Sequence, residues 1–374
     1  MTDGASPAIR LRRGTVVRVG APAAAIRLEV ALDDEETPAP AIAYPALTGS
    51  PRPGDRVLVN TTARRLGLGT GGLDLVVAIE GGAASDPGPS ARTVKARYLP
   101  QQVVVRSVEE EHPEALGAGA TLRNLPVVAA PLHSLVAPIA AGARAAGARR
   151  IVYVMTDGAA LPAAFSDLVR TLRSSGLIDA TVSVGQAFGG DHEAVTLWSG
   201  LLAAVHVADA EVVIVADGPG NLGTATTWGV TALTSGLALN AAHLLGGAPV
   251  AALRVSFADP RPRHRGLSHH SRTILGQVCT VEATVAVPAL DDEHRAVVWD
   301  ALREERLEER HQLVEADGRP ALDTLSSAGV EVRSMGRAVT DDPAFFLAGG
   351  AAGVLAARMA AGGRRWRPDV TSSR

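Results

Sequence analysis

Residues 261 to 272 read RPRHRGLSHHSR and set three histidines, four arginines and two serines in twelve positions. Three readings compete for that string: an anion site, a metal site, or a solvated basic loop. Arg261, Arg263, Arg265 and Arg272 offer forked donors suited to carboxylate or phosphate, and His269 or His270 can donate as well. Pro260 and Pro262 stiffen the segment and Gly266 permits a sharp turn, which favours a formed site. A divalent metal is the second reading, with His264, His269, His270, Asp157, Asp191, Asp217 and Asp259 as the pool of nitrogen and oxygen ligands. No compact signature such as H-E-x-x-H fixes that choice.

Three other short stretches carry chemistry. In VADGPGNLGT, Gly218, Gly220 and Gly223 have G-x-G-x-x-G spacing after an apolar run, so backbone N–H groups there, with Asn221 and Thr224, are anion-ligand candidates. Glycines serving a tight strand-to-helix turn explain the same spacing. A dinucleotide fingerprint fits poorly, because the next acid, Asp259, comes too late, and a P-loop is absent. In GGDHE, Asp191 and His192 open a predicted helix; Asp191 is an N-cap, a general base or a metal ligand. Asp157 in MTDGA is a further acid–base candidate. A serine or cysteine nucleophile finds little support: there is no G-x-S-x-G, and Cys279 sits in an apolar run.

The elements that must position these residues alternate between β and α. Apolar runs at NLPVVAA, RRIVYVM, ATVSVGQ, AEVVIVAD, PVAALRVSF, ATVAVPA and VEVRSMG predict strands, preceded by VKARYLP and QQVVVRSV. Helices are predicted over 132–146, 161–174, 191–207, 224–245, 291–314 and 341–361. Apolar strands separated by helices imply a doubly wound, mostly parallel sheet covered on both faces. Ligands of such sheets bind beyond the carboxyl ends of the strands, where the chemistry-bearing turns fall.

Residues 1–82 contain five short β-type runs, which predicts a small SH3- or OB-like barrel. Residues 83–93 are the linker, within the Gly-, Pro- and Ser-rich string GGAASDPGPSART, and the α/β domain spans 94–362, followed by a flexible tail over 363–374. The barrel balances arginines against acids and has one aromatic, Tyr44, which disfavours nucleic acid. A formal net charge of -3 and a single cysteine suit a soluble protein in a reducing cytoplasm, with no membrane span expected. A homo-oligomer is compatible with the sequence.

The strings GGDHEA, GPGNLGT and RHRGLSHHS, together with the β-rich start, resemble an uncharacterised bacterial family, domain of unknown function 3866. The resemblance implies a bacterial, actinobacterial, cytoplasmic protein and transfers no catalytic residue. The residues themselves lead to an expected enzyme, a hydrolase or group transferase acting on a small anionic substrate. The runner-up is a metabolite-binding or sensor protein without turnover.

Overall fold

A computed structural model describes residues 9–67, 71–82 and 91–362. The expected tail over 363–374 and most of the expected linker lie outside the described residues. Contacts divide the chain into two compact units: residues up to Ser90 with Ala96–Val104, and Ala91–Lys95 with Val105 onward. Residues 96–104 thus group with the first unit, past the boundary read from composition.

In the first unit β1 (Leu11–Val19), β2 (Ile26–Leu32), β3 (Ala39–Ala43), β4 (Arg56–Asn60) and β5 (Asp74–Ile79) close into a barrel of order β1-β2-β3-β5-β4. Alternating side chains, among them Val16, Leu28, Val30, Val57 and Val59, fill it, as period-2 strands with one inward face require. The β3–β5 pair is parallel and the rest antiparallel, an arrangement of OB type within the two barrel classes expected.

Further along the chain come β6 (Thr93–Lys95), β7 (Val103–Val105), β8 (Pro126–Ala129), β9 (Ile151–Thr156), β10 (Ala180–Ser183), β11 (His192–Glu193), β12 (Val212–Asp217), β13 (Ala248–Ala252), β14 (Val255–Ser256), β15 (Gly266–Leu267), β16 (Thr284–Pro288) and β17 (Gln312–Ala316). Eight of them form one parallel sheet of order β11-β10-β9-β12-β8-β13-β16-β17. Successive residues alternate between its faces: Val127, Val152 and Val213 enter one apolar layer, Val128, Tyr153 and Ile214 the other. Helices Leu197–His206, Thr234–Leu244 and Asp292–Glu304 cover the first face. Helices Val136–Ala145, Asp167–Ser174, Arg319–Ser327 and Pro343–Gly362 cover the second. The last is long and apolar enough to cross a membrane, yet 72% of its most apolar window is buried against the sheet and its neighbours.

From β8 the chain moves outward to β9 and β10, then returns to β12 and leaves in the opposite direction to β13. Order therefore reverses around β9, β12 and β8, and their carboxyl ends mark the place where a doubly wound sheet takes ligands.

Four expectations change. VEVRSMG is irregular apart from a bridge between Ser334 and Arg337, and the last strand is β17, from inside the helix expected over 291–314. That helix stops at Glu304, and the left-handed Arg306 (φ 52°) turns the chain before β17. The helix expected from residue 191 begins at Leu197, capped by Thr196, because His192 and Glu193 pair with β10 instead. The helix expected from Thr224 begins at Thr234: Thr224, Thr226 and Thr231 bond to local backbone through their hydroxyls, which holds 222–231 as a loop.

Candidate functional site

β12 ends in Asp217, a buried carboxylate. Thr156 Oγ1 donates to its Oδ1 at 2.5 Å, Thr234 Oγ1 to the same oxygen at 2.9 Å, and Asn221 Nδ2 to Oδ2 at 2.8 Å. Burial raises its pKa above the ordinary carboxylate value, and neighbouring Asp157 pushes the same way. Gly158 follows Asp157 directly over this carboxylate: a Cβ there would lie 2.6 Å from Asp217 Oδ1, so no larger residue fits. Asp157 stays exposed, with Gln186 N–H donating to its Oδ2 at 2.8 Å.

His133, from the turn after β8, closes the floor. Its Nδ1 lies 3.1 Å from the Asp217 carbonyl, which only accepts, so Nδ1 carries the proton and Nε2 accepts from Ser166 Oγ at 2.7 Å. Burial holds its pKa down to about 4, and the ring is a neutral, fully bonded spacer.

The histidines of the opening string gather in the segment after β13. His264, His269 and His270 place one ring nitrogen each within 4.8 Å of one another. Ring centroids lie 4.9, 4.8 and 4.3 Å apart. The β14–β15 hairpin and the short helix His269–Thr273, capped by Ser268, hold them there. His264 Nδ1 is 2.8 Å from Ser268 Oγ. Five buried side-chain polar atoms among the described residues lack a hydrogen-bond partner, and two are His269 Nε2 and His270 Nε2. Such groups are costly to bury, and here they are neighbours.

Arg254, buried to 4% exposure between β13 and β14, decides what the His270 nitrogen is. Its Nη1 donates to His270 Nδ1 at 3.2 Å, and its Nη2 reaches Asp259 Oδ2 at 3.4 Å. A guanidinium is always a donor. Neutral His270 therefore accepts at Nδ1 and carries its hydrogen on Nε2, which becomes a buried donor without an acceptor. A metal would need the lone pair of that Nε2 and a proton on Nδ1, where a ligating histidine has a carbonyl or carboxylate partner. The metal reading thus meets an opposing donor at His270, and the anion reading does not.

Charge points the same way. Asp259 is shared by Arg254, Arg261 and Arg337, while Asp342 accepts from Arg337 and Ser256. Three guanidinium groups face two carboxylates, which leaves one positive charge beside neutral imidazoles. Burial, followed by Arg254 for His264 and by His269 and Arg254 for His270, holds both pKa values down to about 3; His269 is lowered too, by burial and then Arg263. Hydrogen bonding to Arg261 holds the Asp259 carboxyl well below its usual range.

Gly223 ties this cluster to the Asp217 site. A Cβ on Gly223 would lie 3.4 Å from His270 Cε1 and 3.7 Å from Nε2, while Asn221, two residues earlier, holds Asp217. The 218–224 turn therefore spans both sites, although no helix N-terminus begins there. Gly218 packs under Ala160 O, Gly220 is exposed with φ 97°, and Thr224 bonds to Gly229 within the loop.

The chain belongs to a family of unknown function. The family described as protein of unknown function DUF3866 matches residues 40–353. No curated protein and no solved structure matches the chain. The match takes in Asp217 and the histidine cluster of this DUF3866 protein.

Other sequence candidates fall elsewhere. The Asp191 carboxylate accepts from Thr181 N and Oγ1 and pairs with Arg173 at 3.1 Å, so it is no N-cap and lies at the start of β10, away from the carboxyl edge. His192, half-buried on the edge strand, has a pKa lowered by burial. Asp157, Asp191 and Asp217 do not join the histidines as one ligand set, and Asp259 is occupied by arginines. Arg272 pairs with Glu304 and Glu305. Arg263 and Arg265 are exposed, with no side-chain hydrogen bond or ion pair recorded among the described residues, and of the two Arg263 acts electrostatically on the histidines. Arg254, Arg337 and Asp342 were not candidates; the one available signal was a lone arginine inside the apolar run PVAALRVSF.

Proposed function

We propose that this DUF3866 protein is an enzyme, a hydrolase or group transferase, that takes a small phosphorylated or carboxylated substrate at the carboxyl edge of its parallel sheet. The observation that supports it is the pair of unpartnered buried nitrogens, His269 Nε2 and His270 Nε2, beside a buried network with one positive charge in excess. The anionic group accepts from the two imidazoles, and Arg254 fixes the tautomer of His270. Exposed Arg263 guides the anion inward.

Substrate charge also switches the chemistry on. An anion against the imidazoles raises pKa values that burial and arginines hold low, so a histidine becomes a competent general acid when substrate is bound. Asp157 is the exposed carboxylate available as base, and Asp217 holds the turn that connects the two. Binding without turnover is the second reading, favoured by the saturation of Asp217, which leaves Asp157, exposed but itself accepting from Gln186 N–H, as the carboxylate for acid–base work.

Thermal-shift profiling with inorganic phosphate, phosphate monoesters and small carboxylates, followed by turnover assays on every stabilising compound, tests both. Stabilisation with turnover that His270→Ala abolishes supports the enzyme. Stabilisation without turnover leaves the sensor reading, and no stabilisation by any anion overturns both.

A further inference from the structure

From Gly218 to Leu253 the chain has no Asp, Glu, Lys or Arg in 36 consecutive residues, although 20% of the whole chain is charged. Residues 194–208 are equally free of charge. A fully buried segment would explain this, and neither stretch is one. Leu222 is 70% exposed, Trp228 62%, Leu237 54%, Leu244 73% and Trp198 45%.

These positions lie on elements that adjoin. Helices Leu197–His206 and Thr234–Leu244 pack side by side on one face of the sheet, and the 222–231 loop feeds the second. Leu237 and Leu244 are seven residues apart, on one stripe of their helix. Helix Asp292–Glu304, which covers the same sheet face, is unlike them: Asp292, Glu293, Arg295, Asp300, Arg303 and Glu304 give it an ordinary charged surface. A layer in which one helix is charged and two neighbours expose Trp and Leu without any charge marks an interaction face.

We propose that this face, formed by helix Thr234–Leu244, helix Leu197–His206 and the 222–231 loop, is the interface of a homodimer. The absence of charge selects the occupant. With no Asp, Glu, Lys or Arg on the face, and His206 and His243 as its only ionisable side chains, nucleic acid, anionic lipid and charged peptides find no fixed charge to pair with. A second copy brings the same uncharged surface, and a two-fold contact sets it against itself with no like-charge repulsion and no desolvated ion. Two helices about 15 Å long with a loop beside them approach the scale of the roughly 800 Å² that a standard interface takes from each partner. The face shares the 222–224 turn with the candidate site, but the inference rests on exposed apolar residues and not on the proposed function.

Analytical ultracentrifugation of the full chain across the micromolar range tests it. The wild type is expected at twice the chain mass. Leu237→Glu combined with Leu244→Glu is expected to dissociate at least about 100-fold more readily, since each buried carboxylate would lack a partner. Val297→Glu, on the charged helix, keeps the dimer. Both substituted leucines are exposed, so circular dichroism should be unchanged. Should the double variant misfold, hydrogen exchange of the wild type replaces it: amides of 234–244 gain protection as concentration rises. A monomeric wild type, a double variant that stays dimeric, concentration-independent exchange, or a monomer that co-sediments with neutral phosphatidylcholine vesicles overturns the proposal.

Discussion

Lys95 and Arg254 are both buried cations of the second unit, and their surroundings differ in what they leave undone. Lys95, the only lysine, donates to Glu193 Oε2 at 2.7 Å, Ala187 O at 2.7 Å and Ser183 O at 3.0 Å. Those three acceptors use all three ammonium hydrogens. Glu193 Oε1 in turn accepts from Gly189 N at 2.6 Å. Burial pushes the lysine pKa down and the glutamate pKa up, and the pairing opposes both shifts. Arg254 instead shares a contested aspartate and spends a donor on His270, whose far nitrogen is left without a partner. A saturated buried pair has no capacity for a ligand and serves the fold. An unsaturated one beside surplus charge has capacity left, and ligand binding is what uses it.

The difference is broken most severely at Lys95. Lys95→Met strands Glu193 in a buried site and is expected to cost about 3–5 kcal/mol, read by urea denaturation. Phosphate affinity of the folded fraction should not change. A loss under about 1 kcal/mol would show that this pair does not brace the fold. Arg254→Met should invert the pattern. Asp259 keeps Arg261 and Arg337, so stability falls by less than about 2 kcal/mol, while anion affinity measured by calorimetry falls about 100-fold. Tight zinc binding by the wild type that survives this substitution would return the histidines to the metal reading.

Acidification sharpens the same contrast. His133, His264 and His270 are held down to about 4, about 3 and about 3, against an unfolded value near 6.5. Their neutral burial stabilises fully above about pH 6.5 and is lost as pH falls toward 4 and then 3, because the unfolded chain takes up protons first. Each contributes about 1.4 kcal/mol per pH unit inside that window. Saturating phosphate should shrink the loss from His264 and His270 by raising their bound pKa values, and leave that from His133, whose ring is already closed by Ser166. Equal acid sensitivity with and without phosphate counts against an anion at the cluster.

Much of this was legible in the sequence, and what was not shares one cause. Strand runs such as RRIVYVM and AEVVIVAD declare a parallel sheet because both faces are buried, and the turns at their carboxyl ends follow from topology. The histidine cluster was visible because its members lie within seven residues of one another. Arg254, Arg337 and Asp342 were hidden because their meaning is a contact across the fold: Arg337 reaches Asp259 from 78 residues away, and Ser256 reaches Asp342 from 86. Asp191 misled for the converse reason. Its local context fits a helix cap, yet the two-residue strand β11 commits it to Thr181. Asp191→Ala should therefore lower stability by about 1 kcal/mol and leave anion affinity unchanged in the same calorimetric titration.

The smallest effect is expected at Gly223, where the two sites meet. Gly223→Ala adds one methyl 3.4 Å from His270 Cε1, tight but not a clash, and the residue is exposed, so stability should change by less than about 0.5 kcal/mol. That methyl also stands 3.7 Å from His270 Nε2, over the donor that an anion must reach. Phosphate affinity should then fall about threefold, and Leu222→Ala, one residue away on the face assigned to the dimer and without a contact to the histidines, should not alter it. Equal effects from the two would mean that the loop acts as a whole and that His270 Nε2 is not the point of entry. A loss confined to Gly223→Ala locates the anion at the nitrogen that Arg254 has made a donor.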